Sequence, residues 1–236
     1  MKELFKFGDI LSSDYHVYVL SVEDDPNTKR EYESVSVPGK TGNLHFDNGR
    51  YENKNITIKC ACMMNAEIEI NRFVAALLSK VGYQQLEDSL HPDYYRLGEF
   101  TGDVTPSYHL FKSAARFDLV FDCKPQKWLK SGEEEVSLST TNKFLNPTFY
   151  PAYPMFEITG NGNLVIGSNT ITIANNPGNM ILDCELGDAY DKNSHANYNQ
   201  YITITGSDFP VLKPGENNVT KPANMTVKMT PRWWTL

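Results

Sequence analysis

Apolar positions along most of this chain recur with period two, the spacing of a half-buried β-strand. In Tyr15–Val22, Tyr15, Val17 and Val19 share one parity and Tyr18, Leu20 and Val22 the other. Asn55–Cys60 and Ala115–Phe121 alternate in the same way. Clusters of Gly, Pro, Asn and Asp punctuate these runs, as turns require. One segment has the helical period instead: Ile70, Phe73, Val74, Leu77, Leu78 and Val81 form a single apolar stripe. Asn65 suits its N-cap, Glu67 and Glu69 the positive end of its dipole, Lys80 its last turn and Gly82 its stop. The pattern predicts a mainly β, α+β chain with one long helix packed on a sheet.

The character changes near residue 130. Ser131–Glu135 reads as a polar connector, and no helix is expected after it. Short β runs follow at Met155–Ile158, Asn163–Ile166, Thr170–Ile173, Met180–Asp183, Tyr201–Ile204 and Met225–Met229, with Asn-Gly, Asn-Pro-Gly and Lys-Pro-Gly turns between them. That spacing predicts an antiparallel sandwich. The expected domains are 1–130, carrying the helix, and 131–236. Trp233 and Trp234 cannot both enter one core from a strand, so one is expected to meet another domain or subunit.

The chain has 236 residues, 40% of them hydrophobic and 22% charged, which is ordinary for a folded protein. No apolar run approaches the roughly 20 residues of a membrane helix, and neither a membrane anchor nor a secretory signal is expected. With 22 basic and 29 acidic side chains the net charge is -7, which disfavours a general grip on nucleic acid. Cys60, Cys62, Cys123 and Cys184 lack the pairing of a zinc site and are expected to be reduced, buried thiols of a reducing compartment. The sequons at Asn55, Asn218 and Asn224 imply glycans only in a eukaryotic secretory route.

Catalytic chemistry finds little support. Pro38-Gly39-Lys40-Thr41-Gly42 evokes a phosphate loop, but Ser34 stands where a Walker A needs glycine and no helix pattern follows. A Gly-rich turn continuing a flexible arm over Glu23–Ser36 is the simpler reading. No G-x-S-x-G is present, and the five histidines (His16, His45, His91, His109, His195) show no metal-ligand spacing. Asp183, Glu185, Asp188 and Asp191 crowd around Tyr190; a solvated loop, an inter-subunit or ion contact, and a glycosidase pair all remain open. Tyr190, Tyr198 and Tyr201 are candidates for a sugar-stacking platform or a protein contact. No catalytic, metal or cofactor residue is assigned. The residues alone describe a two-part β-rich protein without a recognisable active site.

Several stretches carry a resemblance. Gly39, Gly42, Leu44, Asp47, Gly49, Tyr51 and Asn53 follow the G-x-x-G-x-L-x-x-D-x-G-x-Y-x-N segment of siphophage distal tail proteins, the Dit family of baseplate hubs. Gly82–Asp88, His91–Arg96, Asp183–Tyr190, Gly206–Asn217 and the ending Pro231–Leu236 also resemble that family, collinearly from about residue 35 onward. The resemblance implies a non-enzymatic virion component at the tail tip, in an infectious or prophage-derived particle assembled in the bacterial cytoplasm. It implies a homohexameric ring built by an N-terminal sandwich or barrel-like domain, with a C-terminal galectin-like or carbohydrate-module-like sandwich outside it. The implied partners are the tail tube protein, the tape measure protein, a tail-tip lysin or fibre-like protein and a receptor-binding protein, with DNA passing through the lumen without specific binding. A ring needs a contact that reaches a neighbour, and Glu23–Tyr51 suits such an arm through Asp24, Asp25, Lys29, Arg30, Glu31, Lys40 and Arg50. The rival readings are a module that binds host wall polysaccharide through the three tyrosines, and a glycosidase using Asp183, Glu185 or Asp188.

Overall fold

A computed structural model describes residues 3–24, 28–109, 111–206 and 208–236. Asp25 of the expected arm and Ser207 of the quoted motifs lie outside the described residues. The chain divides into two compact units, the first running to Lys127 and the second covering Trp128–Thr235.

Unit 1 contains β1 (Phe5–Phe7), β2 (Ile10–Leu11), β3 (Val17–Asp24), β4 (Arg30–Ser36), β5 (Asn43–Tyr51), β6 (Lys54–Cys62), α1 (Ala66–Leu78), β7 (Gln84–Asp88), β8 (Tyr94–Phe100), β9 (Ser107–His109) and most of β10 (Ala114–Leu129). The main sheet has the order β2-β1-β7-β8-β10-β6-β3, with β9 on β10. An antiparallel bridge from Glu3 to Val19 joins the chain entering β1 to the far strand β3, so the sheet curls back on itself like a barrel. Alternation places Phe5, Phe7, Val17, Val19, Ile56, Ile58, Phe117, Leu119 and Phe121 inside, where Ile70, Phe73 and Leu77 of α1 cover them.

The helix stops earlier than its apolar stripe. Leu78 ends it, Val81 is 89% exposed, and Lys80 pairs with Asp9 at 2.6 Å rather than closing the last turn. Asn65 makes no side-chain cap because its backbone is left-handed at φ 46°. The first helical amides bond instead to the carbonyls of Ser113 (3.2 Å, from Ala66) and Lys112 (3.4 Å, from Glu67). A tertiary contact thus does what a local cap was expected to do.

Unit 2 comprises the end of β10, then β11 (Val136–Ser137), β12 (Thr141–Asn146), β13 (Met155–Thr159), β14 (Gly162–Ile166), β15 (Asn169–Ile173), β16 (Met180–Asp183), β17 (Asp188–Asp191), β18 (Ile202–Thr205), β19 (Gly215–Thr220), β20 (Thr226–Thr230) and β21 (Trp234–Thr235). Two antiparallel sheets, β11-β20-β13-β16-β17 and β12-β19-β14-β15-β18, enclose a core that includes Phe156, Ile158, Leu164, Ile171, Leu182, Val227 and Met229. Among the described residues only short 3-10 turns, and no α-helix, follow α1.

One expectation changes here. The polar connector is a packed element: Arg232 N–H donates to Gly132 O at 2.7 Å, and a Cβ on Gly132 would lie 2.3 Å from the Trp233 nitrogen. The two tryptophans part as a strand requires. Trp233 is buried in the core, while Trp234 stacks on Tyr150 (4.6 Å between centroids) and donates from Nε1 to Pro151 O at 3.0 Å. Antiparallel sheets with a single α-helix among the described residues are the mainly β class the sequence pattern predicts.

Candidate functional site

Within the expected arm, Glu23–Tyr51, the strands β4 and β5 form a hairpin. β4 and β5 pair only with each other among the described residues, and the Pro38–Gly42 segment turns between them with Gly39 at φ 80° and Gly42 at φ 85°. The phosphate-loop look-alike is therefore a hairpin tip, with two glycines where the turn needs positive φ.

The register sorts its side chains onto two faces. On one, Arg30 bonds Asp47 and the Tyr51 hydroxyl (2.8 Å), Tyr32 meets His45 edge-on at 4.7 Å, and Asn43 donates to Ser34 at 2.9 Å. The amide of Gly49, and then Arg30, hold the Asp47 carboxyl below its usual range. On the other face, Arg50 pairs with Glu31, and Asn48 donates to Glu31 at 3.1 Å near the root. Toward the tip of this face stand Val35, directly opposite Leu44, and Phe46, opposite Glu33. Val35, Leu44 and Phe46 are 38%, 46% and 56% exposed. Arg30 and Arg50 find their acidic partners within the hairpin, and its apolar side chains stand in water. Lys29 and Lys40 are exposed, Lys29 accepting through its carbonyl from Glu52 N–H (2.9 Å) and Lys40 lying in the tip turn. Charge, which marks the arm in the sequence, does not mark this apolar trio. Its signal in the sequence is the alternation Leu44-x-Phe46 across a double-glycine turn from Val35.

Asp24 is not on the hairpin. It ends β3, and its carboxylate is met by Lys54 Nζ (2.6 Å), Arg96 Nη2 and Lys127 Nζ (3.1 Å) from β6, β8 and β10. Burial works to raise its pKa, but these three cations outweigh that and hold it down to about 2. Arg96 also donates to Tyr94 OH at 3.1 Å and lies 3.7 Å from Asp88, which receives His91 at 2.9 Å.

In unit 2 three of the four crowded carboxylates, Asp183, Asp188 and Asp191, accept bonds from nearby backbone amides. Asp183 takes both ends of the Arg232 guanidinium (2.8 and 2.9 Å) and the amides of Glu185 (3.0 Å) and Leu186 (3.2 Å). Asp188 accepts from Ala189 N–H at 2.9 Å and from Asn199, and it begins strand β17 rather than lying in a loop. The amide and hydroxyl of Ser194 hold Asp191 down to about 2. Of the four, only Glu185 lines a cleft of about 540 Å³, shared with Tyr153, Asn169, Leu186, Asp208 and Phe209. Tyr198 and Tyr201 meet edge-to-face at 5.3 Å and lean on the core. Tyr190 follows the buried Ala189 on β17, so it faces the other way, its ring 5.6 Å from His195. All four cysteines are free and buried, and burial pushes Cys123 and Cys184 up to about 12, far from thiolate reactivity.

No protein-family model matches this chain, and no curated protein matches it. Solved structures do. SPP1 Dit (gp 19.1), described as a paradigm of the hub adsorption apparatus in phages infecting Gram-positive bacteria, superposes with a TM-score of 0.71 at 13% identity over 100% of both chains. A chain of the phage P2 baseplate in its calcium-activated conformation gives 0.52 at 10% identity, over 97% of this chain and 98% of that one. The strontium-activated form gives 0.50 at 9%, covering 96% and 97%. This chain has the Dit fold along its whole length.

Proposed function

We propose that this protein is a structural distal tail hub. Six copies close into a ring at the host-facing end of a phage tail tube, and unit 2 serves as a docking flange for tail-tip and receptor-binding proteins. The observation that carries this reading is the fold shared with SPP1 Dit from end to end of both chains. The hairpin adds a physical reason. A ring subunit repeats one heterologous contact, and Val35, Leu44 and Phe46 form an apolar face that its own chain leaves uncovered. An isolated two-stranded hairpin is marginal in water, so a second copy covering that face stabilises both partners. The net charge of -7 suits a lumen through which DNA slides without sticking. Buried, unpaired thiols suit assembly in a reducing bacterial cytoplasm. The role asks for geometry rather than turnover.

Labelled antibody on purified particles, viewed by electron microscopy, is expected to mark the tail tip, and mass photometry a species near six times the 26.7 kDa chain. Label on the head or along the tube removes the proposal. A second reading, contact with wall polysaccharide, rests on the cleft beside Glu185, where Tyr153 and Phe209 sit among polar groups. Titration with wall polysaccharide tests it through heat release that Tyr153→Ala abolishes.

A further inference from the structure

The hairpin is an insertion between β3 and β6, and one ion cluster sits at its root. Asp24 is the last residue of β3 and Lys54 the first of β6, and their charged groups meet at 2.6 Å. Arg96 and Lys127 join from β8 and β10, so four strands converge on one carboxylate. The side chains are well shielded, at 6% exposure for Lys54, 2% for Arg96 and 14% for Asp24. Next to Lys54, Asn53 donates to Asp122 of β10 at 3.1 Å and to the Tyr83 hydroxyl. Among the described residues Arg96 Nε and Asp24 Oδ1 lack a hydrogen bond of good geometry, so Lys54 meets Asp24 as an ion pair, and Arg96 supplies the directional bond to Asp24 Oδ2.

Stability alone is a poor reason for such a cluster. Buried ion pairs repay little of their desolvation, and apolar replacements of similar volume are often neutral or stabilising. What charged hydrogen bonds supply and apolar packing does not is a fixed direction. Direction matters at this point. A nine-residue strand spans about 30 Å, so a swing of about 10° at the root moves the tip by about 5 Å, more than a side chain's width.

We propose that the Asp24–Lys54–Arg96–Lys127 cluster is a root clamp. It fixes the angle at which the β4–β5 hairpin leaves unit 1 and so presents the Val35–Leu44–Phe46 face in the orientation a second copy accepts. Asp24, Lys54 and Arg96 are positioning residues for assembly, none of which needs to touch the neighbour. The inference rests on the hairpin-docking reading above. Its energetic content is preorganisation: an arm already aimed loses less freedom on association.

The test uses the full chain carrying Lys40→Cys at the tip and Asn71→Cys on the outer face of α1. The four native cysteines are buried, so spin labels attach to the two new thiols. Pulsed electron resonance then reads the tip-to-helix distance in chains diluted below assembly. The parent is expected to give one narrow distribution. Asp24→Asn, and the charge-balanced pair Asp24→Asn with Lys127→Met, are expected to broaden it at least twofold and to weaken ring formation tenfold or more, with near-ultraviolet dichroism unchanged. Lys127→Met alone, the mildest change, broadens it part-way and serves if Asp24→Asn does not fold. A broad parent distribution, or a width unchanged in a folded variant, overturns the clamp. The docking reading is judged separately, by serine at Val35, Leu44 and Phe46: rings lost there while the clamp variants keep parent width would sink the clamp and leave the docking face standing.

Discussion

The β4–β5 hairpin of unit 1 and the Asp183–Asp191 turn of unit 2 look alike on paper. Both are charged, aromatic and punctuated by glycine, and both drew functional candidates. In the structure carboxylates of both are met: Arg30 on Asp47 and Arg50 on Glu31 within the hairpin, and Arg232 on Asp183 and Ser194 on Asp191 from beyond the turn. They differ in what remains outside. The turn hands Cys184 and Ala189 to its core and leaves only Leu186 of its apolar side chains in solvent, whereas the hairpin keeps three adjacent ones, Val35, Leu44 and Phe46, in solvent with no third strand paired to it among the described residues. On the docking reading proposed above, what distinguishes the hairpin is the clustering of three uncovered apolar side chains on one face, and charge content does not separate the two regions.

The largest effect expected from breaking that contrast is loss of the ring. Burying a Val, Leu or Phe side chain is worth about 1.5–3 kcal/mol, so Val35→Ser, Leu44→Ser and Phe46→Ser together remove on the order of 5 kcal/mol per contact, several thousandfold in affinity. Mass photometry is expected to show monomers, while the melting temperature of unit 1 stays within about 2 °C because nothing beneath the hairpin depends on it. In unit 2 the outcome reverses. Arg232→Met strands Asp183, whose side chain is 4% exposed, and is expected to cost about 3 kcal/mol in chemical denaturation of unit 2 without touching ring assembly. A smaller effect separates Asp24 from the hairpin charges. Its folded pKa of about 2 lies below the roughly 3.9 of an unfolded aspartate, so its contribution is whole above pH 4 and drains away between about 4 and 2. The denaturation gap between the parent and Asp24→Asn is therefore flat at neutral pH and closes in that acid window.

How much of this was legible follows from the range of each interaction. Strands such as β6 through Ile56, Ile58 and Cys60, and the helical stripe through Ile70, Phe73 and Leu77, are legible because burial imposes a period on neighbouring residues. β19 (Gly215–Thr220) and β12 (Thr141–Asn146) are not, because polar side chains such as Asn146 and Asn217 occupy inward positions and blur the apolar alternation. Caps and clamps were the least visible. Ser113 reaching Ala66, Arg96 reaching Asp24 across 72 positions, and Arg232 reaching Asp183 are tertiary contacts for which one sequence holds no local signal. Asp24 was assigned to the arm by proximity in sequence, and the structure places it at the root.

The smallest expected effects are the sharpest test of the comparison, because they concern the residues that sequence alone put forward. Arg30, Lys40 and Arg50 are exposed, and exposed ion pairs are worth about 0.2–1 kcal/mol. Alanine at any of them is expected to shift ring formation less than about fivefold, since the Arg30 and Arg50 partners lie within the same hairpin. Salt supplies the companion measurement. At 1 M ionic strength the screening length falls to about 3 Å, which weakens charge contacts and leaves apolar burial intact. Rings that persist there, with Arg50→Ala close to the parent, belong to the Val35–Leu44–Phe46 face. Rings that dissolve in salt, or fail with Arg50→Ala alone, would mean that the hairpin docks through its charges and that the contrast between the two regions has been drawn on the wrong side chains.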